Sequence, residues 1–286
     1  MSEKILLLIL LLLNIFIALF LYKKLKSVLY HISHKHQIHQ EEFIKYIAAI
    51  EKRISRPFKD FHNLEGDAYP WTVVTSYNRK ENLKNTILSI RTHEPKTKIL
   101  VIDNGSDIET INLIYYLKKE SFIDKVLLNM KEDIPQWQKS FSMAQAMKLL
   151  SMEHIQGGIT WIDDDMIVKK PWIHISESII TNFSKEKIKI VTCHNDQLQE
   201  KFHPTEQIIP FKGYLIHLKS SFNGSFFYTP LSFLETVGMP PFSEGYSAAS
   251  TEDWYYSRQL AKNKWKVATL DCSDHIGYDQ SHRENL

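Results

Sequence analysis

Gly158-Ile159-Thr160-Trp161-Ile162-Asp163-Asp164-Asp165-Met166 is the stretch whose reading decides this chain. Gly158 to Ile162 is short, apolar and rich in β-branched and aromatic residues, which predicts a buried strand. It runs directly into three carboxylates. Strand alternation places Asp163 and Asp165 on one side and turns Asp164 away. Two carboxylates held that close raise each other's pKa unless a cation sits between them. Oxygen donors suit Mg²⁺ or Mn²⁺ better than zinc. A metal there can also take phosphate oxygens and neutralise a departing diphosphate. The plain alternative is an acidic strand-to-turn corner with solvated side chains.

Upstream of this stretch, strand and helix signals alternate. Trp71 to Ser76 (WTVVTS) reads as a buried strand. Asn78 and Glu81 resemble a capping box, and Leu83, Ile87 and Ile90 then mark one apolar helix face. Lys98 to Ile102 (KILVI) is a second strand that ends in Asp103-Asn104-Gly105-Ser106. Ile108 to Leu117 predicts a helix, Lys125 to Leu128 a strand, and Ser140 to Met152 another helix. Such alternation implies a mostly parallel sheet with helices on both faces, and ligands there bind beyond the carboxyl ends of the strands. The polar clusters fall at those ends.

Downstream, Ser250-Thr251-Glu252-Asp253-Trp254 opens a helix that runs to about Lys262. Thr251 is a good N-cap, and the helix dipole alone favours acids in a first turn. Near the C-terminus stands Asp274-His275-Ile276-Gly277-Tyr278, whose His is either exposed, structural or a metal ligand.

The bulk numbers exclude several classes. The chain has 286 residues, 43% hydrophobic and 24% charged, which suits a globular protein with a real core. A net charge of +2 makes no case for nucleic acid as partner. Two cysteines, Cys193 and Cys272, are too few for a disulfide framework or a Cys-based zinc site and fit a reducing compartment. Residues 1–22 read as a transmembrane anchor, because Ile5 to Tyr22 is interrupted only by Asn14 and lacks a small-residue cleavage pattern. Lys4 precedes the run whereas Lys23, Lys24 and Lys26 follow it, so the positive-inside rule places the C-terminal bulk in the cytoplasm. Residues 23–66 read as a helical stalk or linker that Pro57, Gly66 and Pro70 end. Its His31, His34, His36 and His39 have no carboxylate or thiol partners and read as a solvated face.

Three motifs in order carry a resemblance. Thr72-Val73-Val74-Thr75-Ser76-Tyr77-Asn78-Arg79, Val101-Ile102-Asp103-Asn104-Gly105-Ser106 and Asp163-Asp164-Asp165 resemble the first strand, second strand and Asp-x-Asp signature of the inverting GT-A fold glycosyltransferases of the family 2 type. The resemblance implies that residues 67–286 form a GT-A domain, a Rossmann-like α/β fold with a mostly parallel sheet flanked by helices. It implies a nucleoside diphosphate sugar donor, UDP-linked, and transfer to a hydroxyl of a glycan or lipid-linked acceptor. Tyr77, Asn78 and Arg79 would then meet the nucleotide, Asp103 and Asn104 the base or ribose, and Asp163 and Asp164 the donor. Asp163, Asp165 and His275 would hold Mn²⁺ or Mg²⁺. Val237-Gly238-Met239 and Arg258-Gln259-Leu260 match the family's surroundings of its Glu-Asp pair, which makes Asp253 the expected base and Glu252 its orienting neighbour. Each residue has a bland alternative: Asn78 can cap a helix and Asp103 can form an Asx turn into Gly105. Thr192 to Tyr228 reads as an irregular, aromatic-rich acceptor side with Trp137 or Trp172 as a sugar-stacking surface, against ordinary core filling.

The chain departs from the family where Gln138 to Leu150 matches the third motif poorly and Asn263 stands in place of a common Gly. No Gln-x-x-Arg-Trp motif and no further span follow, so a single transfer per encounter is expected rather than processive synthesis. Two rivals stand beside this reading: a metal-dependent nucleotidyltransferase, disfavoured because Ser76 to Arg79 holds no glycine, and a membrane-tethered nucleotide-sugar-binding module without turnover.

Overall fold

A computed structural model of the chain describes residues 68–129, 139–151, 153–195, 197–240 and 251–276. The expected anchor, the stalk with its four histidines, Trp137, Ser250, Gly277 and Tyr278 lie outside the described residues. Among the described residues, no helix is long and apolar enough to cross a membrane.

The first half follows the expected alternation. Strand β1 (Tyr69–Ser76) leads to helix α1 (Lys80–His93), β2 (Lys98–Asp103) to α2 (Ile108–Lys119), β3 (Lys125–Leu128) to α3 (Lys139–Leu150), and β4 (Ile155–Asp163) follows. These four strands lie side by side in the order β3-β2-β1-β4, all parallel. Alternate residues of each strand face opposite helix layers. Val74, Ile99, Val101 and Ile162 pack with Leu83, Ile87 and Ile90 of α1, whereas Val73, Leu100, Ile102 and Trp161 pack with Met143, Met147 and Leu150 of α3. Burial on both faces is why the central residues of β1, β2 and β4 are mostly apolar.

The second half is mixed rather than parallel. It comprises β5 (Met166–Val168), α4 (Ile173–Asn182), β6 (Ile188–Thr192), α5 (Gln197–Phe202), β7 (Gln207–Phe211) and β8 (Tyr214–Lys219). Then follow β9 (Phe226–Pro230), α6 (Leu231–Val237), α7 (Thr251–Asn263), β10 (Lys266–Thr269) and β11 (Ser273–His275). The sheet continues from β4 as β9-β6-β10-β8-β7. Strand β9 runs antiparallel to both neighbours, β6 and β10 are parallel, and β8 and β7 alternate again. The expectation of an irregular stretch from Thr192 to Tyr228 is therefore corrected: it holds a hairpin and a central strand. Lys212 and Gly213, both at positive φ (48° and 80°), make the tight β7–β8 turn, a conformation that suits the right-handed twist of the strands.

Registers bring the strand ends into line. Thr75 sits opposite Asp163, and Ser76 opposite Asp103. Strand β11 pairs with β5 in a separate two-stranded sheet, with His275 opposite Met166. The chain's last described segment thus returns to the end of β4. Cys193 and Cys272 are buried and free.

Candidate active site

The acidic run is split by the fold. Strand β4 ends at Asp163, and Asp164 and Asp165 form the turn into β5. Strand parity stops there, which corrects the expectation that Asp164 points away from its neighbours. Arg79 Nη1 donates to Asp164 Oδ1 at 3.3 Å and to Asp165 Oδ2. Asp164 Oδ2 accepts the Tyr77 N–H at 3.0 Å, and its main-chain oxygen accepts Thr86 Oγ1 at 2.9 Å. Asp163 instead accepts Thr75 Oγ1 at 3.2 Å and Lys139 Nζ at 2.6 Å. Burial pushes the Asp164 carboxyl up to about 7, although the Tyr77 N–H and Arg79 pull it back. Asp165 is raised as well, by burial and then by Asp163, against His275, Arg79 and Lys139.

Lys139, at the start of α3, joins this turn to the second acidic motif. Its Nζ also donates to the Gly224 carbonyl and stands 4.0 Å from Glu252 Oε1, and its side chain is only 11% exposed. Burial disfavours its charge, but Asp163, Glu252 and Asp253 outweigh that and hold the ammonium above the usual lysine range. Glu252 and Asp253 occupy the first turn of α7, as the sequence reading requires. Burial lifts Glu252 to about 8, Lys139 opposes, and Asp253 adds to the rise. Glu252 Oε2 is buried with no hydrogen-bond donor. Asp253, also raised by burial, accepts the Trp254 N–H at 2.7 Å. Gly224 makes room for Glu252, since a Cβ there would stand 2.6 Å from Oε1. Residues Asp163 and Glu252, far apart in sequence, thus share one cation.

Lys139 was missed by sequence reasoning. Its one signal is position: a lysine heading a helix in which every residue from Ser140 to Met147 is buried must bury its own stem too.

His275 stands beside Asp165. Its Nε2 lies 3.5 Å from Asp165 Oδ1, and the Ile276 N–H donates to the Asp165 carbonyl at 2.7 Å. Burial lowers its pKa, the Asp165 carboxylate opposes, and His194, whose ring centre is 6.0 Å away, adds to the lowering. His194 is a second residue the sequence reading passed over. A divalent ion suits the chemistry of this corner: Asp165 Oδ1 is buried and receives no hydrogen bond. As the side chains stand, no group of three or more His, Cys, Asp or Glu among the described residues has the spacing of a metal shell. Arg79 and Lys139 supply the positive charge instead.

The nucleotide-side candidates gather at the ends of β1 and β2. Asp103 accepts the Gly105 and Ser106 N–H groups at 3.1 and 2.8 Å and the Ser106 hydroxyl, so the Asx turn is formed. Asn104 Oδ1 accepts from Asn129 Nδ2 at 3.1 Å and Ser142 Oγ at 2.9 Å. The expected capping box is corrected. Arg79 is the N-cap of α1 and makes no side-chain cap bond, while Asn78, at φ 51°, accepts the Asp107 N–H at 2.7 Å and donates its own N–H to Ser106 Oγ at 2.8 Å. Asn tolerates that left-handed backbone, and its side chain reaches across to the β2–α2 loop. Trp172 is not a stacking surface, because it is fully buried with Nε1 donating to Thr160 Oγ1 at 2.9 Å. Phe222, Phe226 and Phe227 are core as well.

No family model matches the chain, and no curated protein matches it. Among solved structures, it is similar to the mannosyltransferase PcManGT from Pyrobaculum calidifontis in complex with GDP-Man and Mn²⁺, at 13% identity and a TM-score of 0.49, over 86% of this chain and 68% of that one. It is similar to S. aureus TarS at 10% identity and a TM-score of 0.45, over 76% of this chain and 38% of that one. The 1–349 portion of TarS gives 11% identity and 0.47, over 73% and 60%. All three scores are too low to show a shared fold.

Proposed function

We propose that this chain is a glycosyltransferase that moves a sugar, a hexosyl or N-acetylhexosaminyl group, from a UDP-linked donor to a hydroxyl of a glycan or lipid-linked acceptor. The observation that carries the reading is Lys139, which lies between Asp163 and Glu252 and so joins two acidic motifs at the carboxyl ends of the strands. That is where open α/β sheets bind ligands.

In this reading Asp253 removes the proton from the acceptor hydroxyl, which would otherwise be a weak nucleophile at neutral pH. The hydroxyl oxygen bonds to the anomeric carbon as the bond to the diphosphate breaks, with inversion in one step. Burial has already raised Asp253 toward the range in which a carboxylate can accept a proton effectively. Glu252, buried beside it, orients the base. Tyr77, Asn78, Arg79, Asp103, Asn104, Asp163 and Asp164 face the donor. Mn²⁺ or Mg²⁺ held by Asp165, Asp163 and His275 would neutralise the leaving diphosphate. The apolar run before Tyr22 would tether the domain to a membrane on its cytoplasmic side, near a lipid-linked substrate.

Replacing Asp253 by Asn tests the assignment when transfer and donor binding are measured separately. Transfer is expected to fall by roughly 10²–10⁴-fold with donor binding retained. A variant that transfers at near the wild-type rate ends the base assignment. Pyrophosphate release from a nucleoside triphosphate would favour the nucleotidyltransferase, donor binding with no turnover in the wild type would favour the binding module, and either outcome ends the glycosyltransferase reading.

A further inference from the structure

Two cations hold the acidic cluster, and they differ in how easily they can leave. Lys139 is 11% exposed and fixed by Asp163 and the Gly224 carbonyl. Arg79 is 52% exposed, sits in the β1–α1 loop, and touches the cluster through a single nitrogen. Its remaining N–H donors have no partner among the described residues, so they are available to a second anion. Its departure would not release the turn, because the Tyr77 N–H and Thr86 Oγ1 bonds to Asp164 do not involve it. Beneath it Asp165, with its side chain 8% exposed, has one buried oxygen that receives no hydrogen bond. An acidic cluster alone would say little. This carboxylate oxygen receives no hydrogen bond and faces the His275 ring nitrogen at 3.5 Å, so the corner keeps acceptor capacity for a cation.

We propose that Arg79 is a displaceable counter-ion: it covers Asp164 and Asp165 while no divalent cation is bound, gives up Asp165 when one binds, and turns its guanidinium to the donor's diphosphate. The inference rests on the metal and donor reading given above. It explains why the loop that meets the nucleotide carries an arginine rather than a glycine: the same side chain neutralises the carboxylates first and the phosphates second. A guanidinium is suited to both, since its fork matches carboxylate and phosphate oxygens alike.

The consequence is competition between Arg79 and the metal. In the full chain without nucleotide, Mn²⁺ binding can be followed by the loss of the free aquo-ion's paramagnetic resonance signal. Arg79→Gln is expected to bind Mn²⁺ more tightly than wild type, on the order of tenfold, because a competing charge about one contact distance away is gone. Arg79→Lys keeps the charge but lacks the guanidinium fork with its further donors, and falls between them. Asp165→Asn loses the ion. In saturating Mn²⁺, Arg79→Gln binds UDP on the order of tenfold more weakly, since one charge-assisted contact is missing. A simple structural brace would behave in the opposite way, its loss loosening the turn and weakening the metal. If Asp165→Asn abolishes Mn²⁺ binding while Arg79→Gln leaves it unchanged or weaker, the exchange is refuted and the metal site stands. If neither wild type nor Arg79→Gln takes up Mn²⁺, the metal reading falls and takes the exchange with it.

Discussion

Arg79 and Lys139 do the same electrostatic task under different conditions. Each places one positive charge against two carboxylates, yet one side chain is half in water and the other is enclosed by Phe227, Gly224 and Glu252. In water a charged pair is weak because solvation competes with it; in the interior each partner has lost its solvation and depends on the other. The comparison teaches that the acidic cluster is held by an enclosed cation at α3 and α7 and by a half-exposed one in the loop after β1.

The largest effect is expected at the enclosed cation. Lys139→Met leaves the Asp163 carboxylate without its counter-charge, which costs about 3–5 kcal/mol. For a domain of this size, calorimetry should record a fall in Tm of roughly 10 °C. A Lys139→Met protein as stable as wild type would erase the distinction between the two cations.

The next effect is a pH dependence. Glu252 is raised to about 8, so the folded state holds its proton more tightly than the unfolded chain does. Its contribution to stability is complete below about pH 4.3, the unfolded value, and is lost as pH rises through 8. The slope reaches about 1.4 kcal/mol per pH unit at most. Asp164, raised to about 7, acts in the same direction, whereas the lowered His275 acts oppositely as pH falls through the histidine range. Glu252→Gln should therefore flatten the stability profile between pH 5 and 8, measured by urea unfolding at fixed salt. An unchanged slope would mean that Glu252 is not the group that Lys139 protects.

The smallest effect belongs to the exposed cation. Arg79→Gln should change stability by less than about 1 kcal/mol, and the difference should shrink as salt rises, since exposed pairs are screened over about 10 Å at 0.1 M. A loss as large as that at Lys139 would show that Arg79 is as fixed as its counterpart.

Legibility in the sequence follows the same division. Strands β1 to β4 and the helices between them were readable because both faces are buried and the apolar runs are continuous, with boundaries shifted by only a residue or a few. The β7–β8 hairpin was not read, since β7 is an edge strand, both strands have mixed exposure, and Ile208 and Leu215 are exposed. Trp172 read as a sugar-stacking surface only because composition does not distinguish a core aromatic from an exposed one. Trp254, whose ring lies under the Arg258 guanidinium at 4.0 Å, is the aromatic that remains exposed beside Asp253.

The sequence by itself determined the parallel half of the sheet and the placing of the carboxylates at strand and helix ends, because periodicity and local polarity are properties of neighbours along the chain. Only the tertiary structure decided which carboxylate meets which cation. Asp163 goes to Lys139 and Asp164 and Asp165 go to Arg79 because strand parity ends at a turn. A side chain's partner across the fold depends on registers and burial that no single segment encodes.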